Sequence, residues 1–153
     1  MTHRVGLISD THGLLRPQAL SFLQGCDAII HGGDIGDPAI LDALQAIAPL
    51  HAVRGNNDED DAWASSVPET QRLEIGGVAI YVLHALALLD IDPAAQGIRV
   101  VVSGHSHKPL IEQRGEVLYV NPGSAGPRRF SLPISIAELL IDNGEVSAKL
   151  TQL

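Results

Sequence analysis

Five apolar, strand-like runs in this sequence break off at polar clusters of one kind: Asp10-Thr11-His12, Gly33-Asp34, Gly55-Asn56, His84 and Gly104-His105-Ser106-His107. Runs this short read as buried strands, and the glycines beside most of the breaks let backbones approach closely. The first three runs set a regular rhythm. Arg4 to Ser9 reads as a strand, Pro17 to Gln24 as a helix with proline in its first turn, and Asp27 to His31 as a second strand. Pro38 to Ala48 carries Ile40, Leu41, Leu44 and Ile47 at helical spacing, and Leu50 to Arg54 returns as a strand. A β-α-β-α-β series predicts parallel pairing in an α/β fold. In open α/β sheets ligands gather beyond the carboxyl ends of the strands, where all five clusters fall.

From Gln71 the rhythm changes to period two, through Leu73-Glu74-Ile75, a Gly76-Gly77 turn and Val78 to Leu83, which predicts a hairpin and a switch to antiparallel strands. One or two helical turns over Asp92 to Gln96 precede a strand at Arg99 to Ser103, and Leu110 to Gln113 is expected to pair with Val117 to Val120. The last strands, Ile134 to Ile141 and Glu145 to Leu150, are joined by Asp142-Asn143-Gly144, whose Asn-Gly pair tolerates positive φ.

At 153 residues with 45% hydrophobic content, the expectation is a single domain over residues 1–153. The apolar runs fall short of the ~20 residues that span a bilayer, and Met1-Thr2-His3-Arg4 leads directly into a strand, so neither signal nor anchor is expected. The lone Cys26 reads as a small buried hydrophobe, which suits a reducing cytoplasm. A formal net charge of −8 with only 10 Lys plus Arg lacks the basic footprint needed for long nucleic acid. It does not exclude a small phosphorylated ligand, because two bound divalent cations would offset the charge where a phosphate docks.

The seven oxygen or nitrogen donors at the strand ends are Asp10, His12, Asp34, Asn56, His84, His105 and His107. Asp10 and His12 are two apart, as are His105 and His107, so persisting strand geometry would aim each pair the same way. A carboxylate such as Asp34 can bridge two cations. Singly, each position has a plain alternative in strand-end capping and turn chemistry. Asp58 either orients Asn57 or a site loop, or opens a solvated acidic run through Asp61. His31 could orient a ligand or simply be a satisfied strand-end histidine. His3 and His51 read as structural or exposed. Asn121 to Ser124 suits either a site wall or a turn, and Arg128-Arg129 either phosphate steering or a solvated pair.

Taken in order, D-x-H at Asp10/His12, G-D at Gly33/Asp34, G-N-x-D at Gly55/Asn56/Asp58, His84, and G-H-x-H at Gly104/His105/His107 resemble the calcineurin-like metallophosphoesterase superfamily over most of the chain. Ser9-Asp10-Thr11-His12-Gly13, Gly104 to Pro109 and Asn121-Pro122-Gly123-Ser124 followed by Pro127-Arg128 look like its small bacterial and archaeal phosphodiesterase branch. The resemblance implies a four-layer α/β/β/α sandwich with mixed sheets and two divalent metal ions. Asp10, His12, Asp34 and His107 would hold one ion, and Asp34, Asn56, His84 and His105 the other, with hydroxide bridging them for in-line attack. Manganese is the first expectation, with Ni²⁺, Zn²⁺, Fe²⁺, Co²⁺ and Mg²⁺ also compatible with this donor set.

Asn57 and Asp58 are the candidate catalytic residues beside those ligands. Many superfamily members carry His where Asn57 stands. An amide can donate a hydrogen bond but cannot supply a proton, so diesters or other esters with good leaving groups are the expected substrates. The branch also usually reads His-Gly-His where this chain has His84-Ala85-Leu86, so loop shape and specificity should differ there. Other readings are a phosphomonoesterase or nucleotide pyrophosphatase and, from a different class, a non-catalytic protein-binding scaffold of the same fold, as in a eukaryotic relative from vesicle-sorting complexes. The expected partner is a small phosphate ester, with a homodimer as the base-rate assembly.

Overall fold

The computed structural model describes residues 1–153. Ten strands and two α-helices run in the order β1 (Thr2–Ile8), α1 (Pro17–Leu23), β2 (Ala28–His31), α2 (Pro38–Gln45), β3 (Leu50–Ala52), β4 (Thr70–Ile75), β5 (Val78–Leu83), β6 (Val100–Val102), β7 (Leu110–Arg114), β8 (Val117–Asn121), β9 (Ser135–Asp142) and β10 (Glu145–Gln152). Two mixed five-stranded sheets result, ordered β10-β9-β1-β2-β3 and β4-β5-β6-β8-β7.

Alternation along the strands builds the layers. On β1, Val5 and Leu7 enter the inter-sheet core with Ile30, Ile80, Val82, Val102, Val120 and Leu139, while Ile8 points the other way to pack with Leu23, Ile29, Leu44 and Ile136 beneath the helices. Gly6 also faces α1, and a Cβ there would collide with Leu23, so glycine sets how closely helix and sheet approach. The outer face of the second sheet buries Leu83, Val101 and Tyr119 under Leu86, Leu89 and Ile91. The cover includes short 3₁₀ turns at Leu86–Leu88 and Ala94–Gln96, so the fourth layer of the α/β/β/α sandwich is thin.

Both helices open on proline, and α2 is capped by Asp37, whose side chain accepts from Ala39 N at 2.9 Å. The expected helix from Pro38 to Ala48 stops at Gln45, with Ile47 N and Ala48 N bonded to Leu44 O in a tightened end. Pro49 explains the stop, because the residue before a proline is driven out of the α region.

The larger correction concerns the second half. The hairpins β4/β5, β7/β8 and β9/β10 are antiparallel as the turns predicted, but β6 pairs parallel with both β5 and β8. The connection 84–99 is long enough to carry the chain back across the sheet before β6 begins, which a tight turn cannot do. No helix of the chain is long and apolar enough to cross a membrane.

Candidate metal centre

β1, β2 and β3 of one sheet, and β5 and β6 of the other, release their chain into one shared rim. Asp10 and His12 follow β1, Asp34 follows β2, Asn56 follows β3, His84 follows β5, and His105 and His107 follow β6. The donors do not converge by continued strand alternation, as the two-residue spacings suggested. The strand pairing ends first, and Asp10, His12, Asp34, His105 and His107 all take positive φ, between 45° and 71°. Side-chain-bearing residues seldom adopt that region, at a cost of order 1–3 kcal/mol each, and they keep it only where surrounding contacts over-determine it.

Those contacts are present. Asp10 N donates to Gly33 O at 3.0 Å, His12 N to Asp34 O at 2.9 Å and Gly13 N to Ile35 O at 2.8 Å, which zips the first two loops together. Gly104 N donates to His84 O at 2.9 Å, and Asn121 Nδ2 to Gly104 O at 2.9 Å. Ser124 Oγ donates to Asp10 O at 3.0 Å, so the Asn121 to Ser124 segment ties the histidine loop to the aspartate loop.

The side chains form two groups, Asp10 with His12 and His107, and Asp34 with His84 and His105. His12 Nε2 and His107 Nε2 are 3.2 Å apart, His107 Nε2 is 3.5 Å from Asp10 Oδ1, and His84 Nε2 is 3.2 Å from Asp34 Oδ2. Donors about 2.0–2.1 Å from a common ion sit about 3.0–3.4 Å from one another, so these spacings lie at or just above the edges of a coordination polyhedron, and the 3.9 Å from His12 Nε2 to Asp10 Oδ1 is longer. Asp10 Oδ1 and His84 Nε2 are buried without a hydrogen-bond partner, which is costly unless a cation completes them. Asn56, exposed on the rim, lines one cavity together with His84 and His105.

The local electrostatics suit a cation. Burial pushes the Asp10 carboxyl up to about 6, against the opposing pull of His84 and the Ser9 hydroxyl. Burial pushes the His107 imidazole down to about 4, helped by the positive charges of Arg129 and His12, and it lowers His12 too. Burial would raise Asp34, but His84 and the Asn57 N–H outweigh it and hold the carboxyl below its usual range. Burial would lower His84, yet Asp34 and the Gly32 carbonyl keep the ring above its usual value. Because His84 Nδ1 donates to Gly32 O at 2.7 Å, Nε2 is the nitrogen left to coordinate once the ring is neutral.

Asn57 and Asp58 turn inward to support the ligands. Asn57 N donates to Asp34 Oδ1 at 3.0 Å and Asn57 Nδ2 to Asp34 Oδ2 at 3.3 Å, so one residue grips both oxygens of the carboxylate. Asp58 is fully buried and accepts from Ile35 N, Gly36 N and Gly55 N at 3.0–3.1 Å, whereas Glu59, Asp60 and Asp61 are exposed. A Cβ on Gly55 would collide with the Asp34 carboxylate, and one on Gly33 with the His84 ring. Asn57→Ala is expected to raise the metal dissociation constant about tenfold, the lower end of what losing a ligand-orienting residue costs. Calorimetric titration of Mn²⁺ into chelator-treated protein checks it, and unchanged affinity would show that the side-chain grip on Asp34 does nothing.

Several supporting residues carried weak sequence signals or none. His31 is buried, with Nδ1 accepting from Gly33 N at 3.0 Å, so its Nε2–H donates to Thr11 Oγ1 at 3.0 Å and Thr11 in turn donates to Ile35 O at 2.9 Å. Burial holds the His31 imidazole down to about 3, neutral throughout the ordinary range. Ser9 Oγ and His105 N both donate to Asp10 Oδ2, at 2.8 and 3.1 Å. His3 and His51 lie within β1 and β3, away from the rim. Arg128 and Arg129 are exposed, and Arg129 still bears electrostatically on His12 and His107.

Comparison with known proteins gives a consistent picture. The family model described as the calcineurin-like phosphoesterase superfamily domain matches residues 3–144. A probable metallophosphoesterase of Methanocaldococcus jannaschii is 35% identical over 97% of this chain and 81% of its own length. Phosphodiesterase YfcE of Escherichia coli is 32% identical over 63% of this chain and 54% of its own. The structure of vacuolar protein sorting 29 from Cryptosporidium parvum superposes with a TM-score of 0.77 at 18% identity, covering 99% of this chain and 98% of that one, a likeness of fold.

Proposed function

Because the chain belongs to the calcineurin-like phosphoesterase superfamily, we propose that its rim of strand-end ligands hydrolyses small phosphate esters, phosphodiesters above all, with two divalent cations. The observation that carries this reading is the pair of adjoining donor groups with two buried, unpartnered ligand atoms, Asp10 Oδ1 and His84 Nε2, among them. Asp10, His12 and His107 would hold one ion and Asn56, His84 and His105 the other, with Asp34 shared between them. Bound there, the cations would supply Lewis acidity toward the phosphoryl oxygens and lower the pKa of an attacking water.

The remaining work falls to the protein's own groups. Asn57 fixes the angle of the Asp34 carboxylate, Asp58 fixes the loops on either side of it, and neither presents a transferable proton to a leaving alcohol. Esters whose alcohol leaves without protonation are therefore favoured, and the preference for diesters rests on the phosphodiesterase among the relatives. Manganese is the first choice of metal, and the mixed carboxylate, amide and imidazole donors also accept Ni²⁺, Zn²⁺, Fe²⁺, Co²⁺ or Mg²⁺. With no membrane-crossing helix and a lone, buried cysteine, a cytoplasmic setting fits.

The test is an assay of chelator-treated protein on bis(nitrophenyl) phosphate and nitrophenyl phosphate with Mn²⁺, Ni²⁺, Zn²⁺ or Mg²⁺ restored. Chelation should remove turnover, Mn²⁺ should restore it, and the diester should be cleaved faster than the monoester. Absence of metal-dependent turnover on both substrates would instead favour a protein-binding scaffold, the role that the resemblance to a vacuolar sorting protein keeps in view.

A further inference from the structure

His105 stands on the wall of two cavities that differ in the charge of their rims. The smaller, about 260 Å³, is bounded by Leu86, Leu110 and Tyr119, with Lys108 as its charged residue. The larger, about 550 Å³, also takes in His84, whose unpartnered Nε2 marks the metal centre at its edge. Its apolar wall includes Ala85, Ala87 and Leu88, and of these Ala85 stands where the branch usually has Gly. Three carboxylates, Glu59, Glu69 and Asp90, and one guanidinium, Arg54, line it. Arg54 is already engaged, 2.8 Å from Glu69 and donating to Val67 O, so Glu59 and Asp90 are left uncompensated.

Resting on the phosphodiesterase reading above, we propose that the larger cavity receives a compact cationic arm of the substrate, so that the preferred esters are phosphodiesters of an ammonium-bearing alcohol. The methylene and methyl groups of such an arm lie against Ala85, Ala87 and Leu88, while its charge faces Glu59 and Asp90. Asp10, Asp34 and the ester's own anion offset most of the charge of two divalent cations, so the rim carboxylates decide the field at the far end of the cavity. An anionic arm, such as a further phosphate, would meet two uncompensated negative charges there. The second arm of the diester has the smaller cavity across His105, where Lys108 repels a cation and fixes which way round the ester lies. Both free carboxylates are exposed, so the preference is modest and salt-sensitive.

The experiment uses Mn²⁺-loaded protein and compares nitrophenyl phosphocholine with bis(nitrophenyl) phosphate, two diesters that share a leaving group. In the double variant Glu59→Gln, Asp90→Asn, kcat/KM for the choline ester should fall about fivefold relative to the bis ester at low salt, as expected for two exposed charge contacts, and the gap should narrow in 0.5 M salt. Independently of turnover, calorimetry should show phosphocholine binding the wild-type protein more tightly than methyl phosphate does, with that difference lost in the variant. If the bis ester is cleaved metal-dependently but the choline ratio and the binding difference do not move with the variant, the cationic-arm assignment is overturned and the phosphodiesterase stands. If neither ester is cleaved, the phosphodiesterase reading itself falls.

Discussion

Asp34→Ala is expected to abolish turnover of bis(nitrophenyl) phosphate, with kcat/KM falling on the order of 10³-fold or more, the scale of several kcal/mol of lost Lewis-acid assistance. The carboxylate occupies the middle of the centre: its Oδ2 is 3.2 Å from His84 Nε2 in one donor group and 3.7 Å from His12 Nε2 in the other. Asp10 Oδ1 also lies 3.9 Å from His84 Nε2, but Asp34 makes the closer approach to that ring, so its loss should weaken both ions rather than one. Metal analysis of the dialysed variant should accordingly show fewer than one equivalent of Mn²⁺, while His107→Ala, which touches one group, should keep close to one. Two equivalents retained in Asp34→Ala, or turnover near that of the parent, would sink the shared-ligand assignment.

The second large effect should come from a residue that touches no ion. Asp58→Ala leaves three backbone N–H groups, of Ile35, Gly36 and Gly55, without their acceptor, those of Ile35 and Gly55 in buried surroundings. Hydrogen bonds to a charged group contribute about 1.5–3 kcal/mol each, and losses that share one acceptor do not add fully, so a destabilisation of roughly 3–5 kcal/mol is expected. For a domain of this size that lowers Tm by about 10 °C. Asp58→Asn should fall between. Its remaining oxygen can serve Ile35 and Gly55, but its NH₂ group would face the Gly36 N–H. Thermal melts of the metal-free and Mn²⁺-loaded proteins separate this from a direct role in chemistry. A variant that melts with the parent yet has lost activity would make Asp58 a reactive group rather than the fastener of these loops.

Much of this was legible from the chain. The apolar runs, their breaks at Asp, Asn and His, and the opening β-α-β-α-β rhythm were local signals, and local signals survive in sequence. The parallel pairing of β6 with β5 and β8 was not legible, because nothing in Val100-Val101-Val102 says which neighbour it meets or in which direction. All seven proposed ligands were named, yet the way five of them converge through positive φ was missed, since Asp and His give only a weak preference for that region. Asp58 was named as a residue that could orient a site loop, with a solvated acidic loop as the alternative. It begins an acidic run, and only burial under the Asp34 loop separates it from Glu59, Asp60 and Asp61. His31, Ser9 and Thr11 act through hydrogen bonds between loops that lie far apart in sequence, and composition carries no trace of such contacts.

The left-handed backbones at Asp10, His12, Asp34, His105 and His107 mean that the chain's own contacts must hold its ligand loops bent. The cost of that bending is met by the packing of both sheets, so the same packing that sets thermal stability also sets how tightly the loops can grip a cation. A substitution deep between the sheets, far from any ligand, would thus be read first as a shift in metal occupancy. Growth under metal scarcity would select on the core of this protein as much as on its rim.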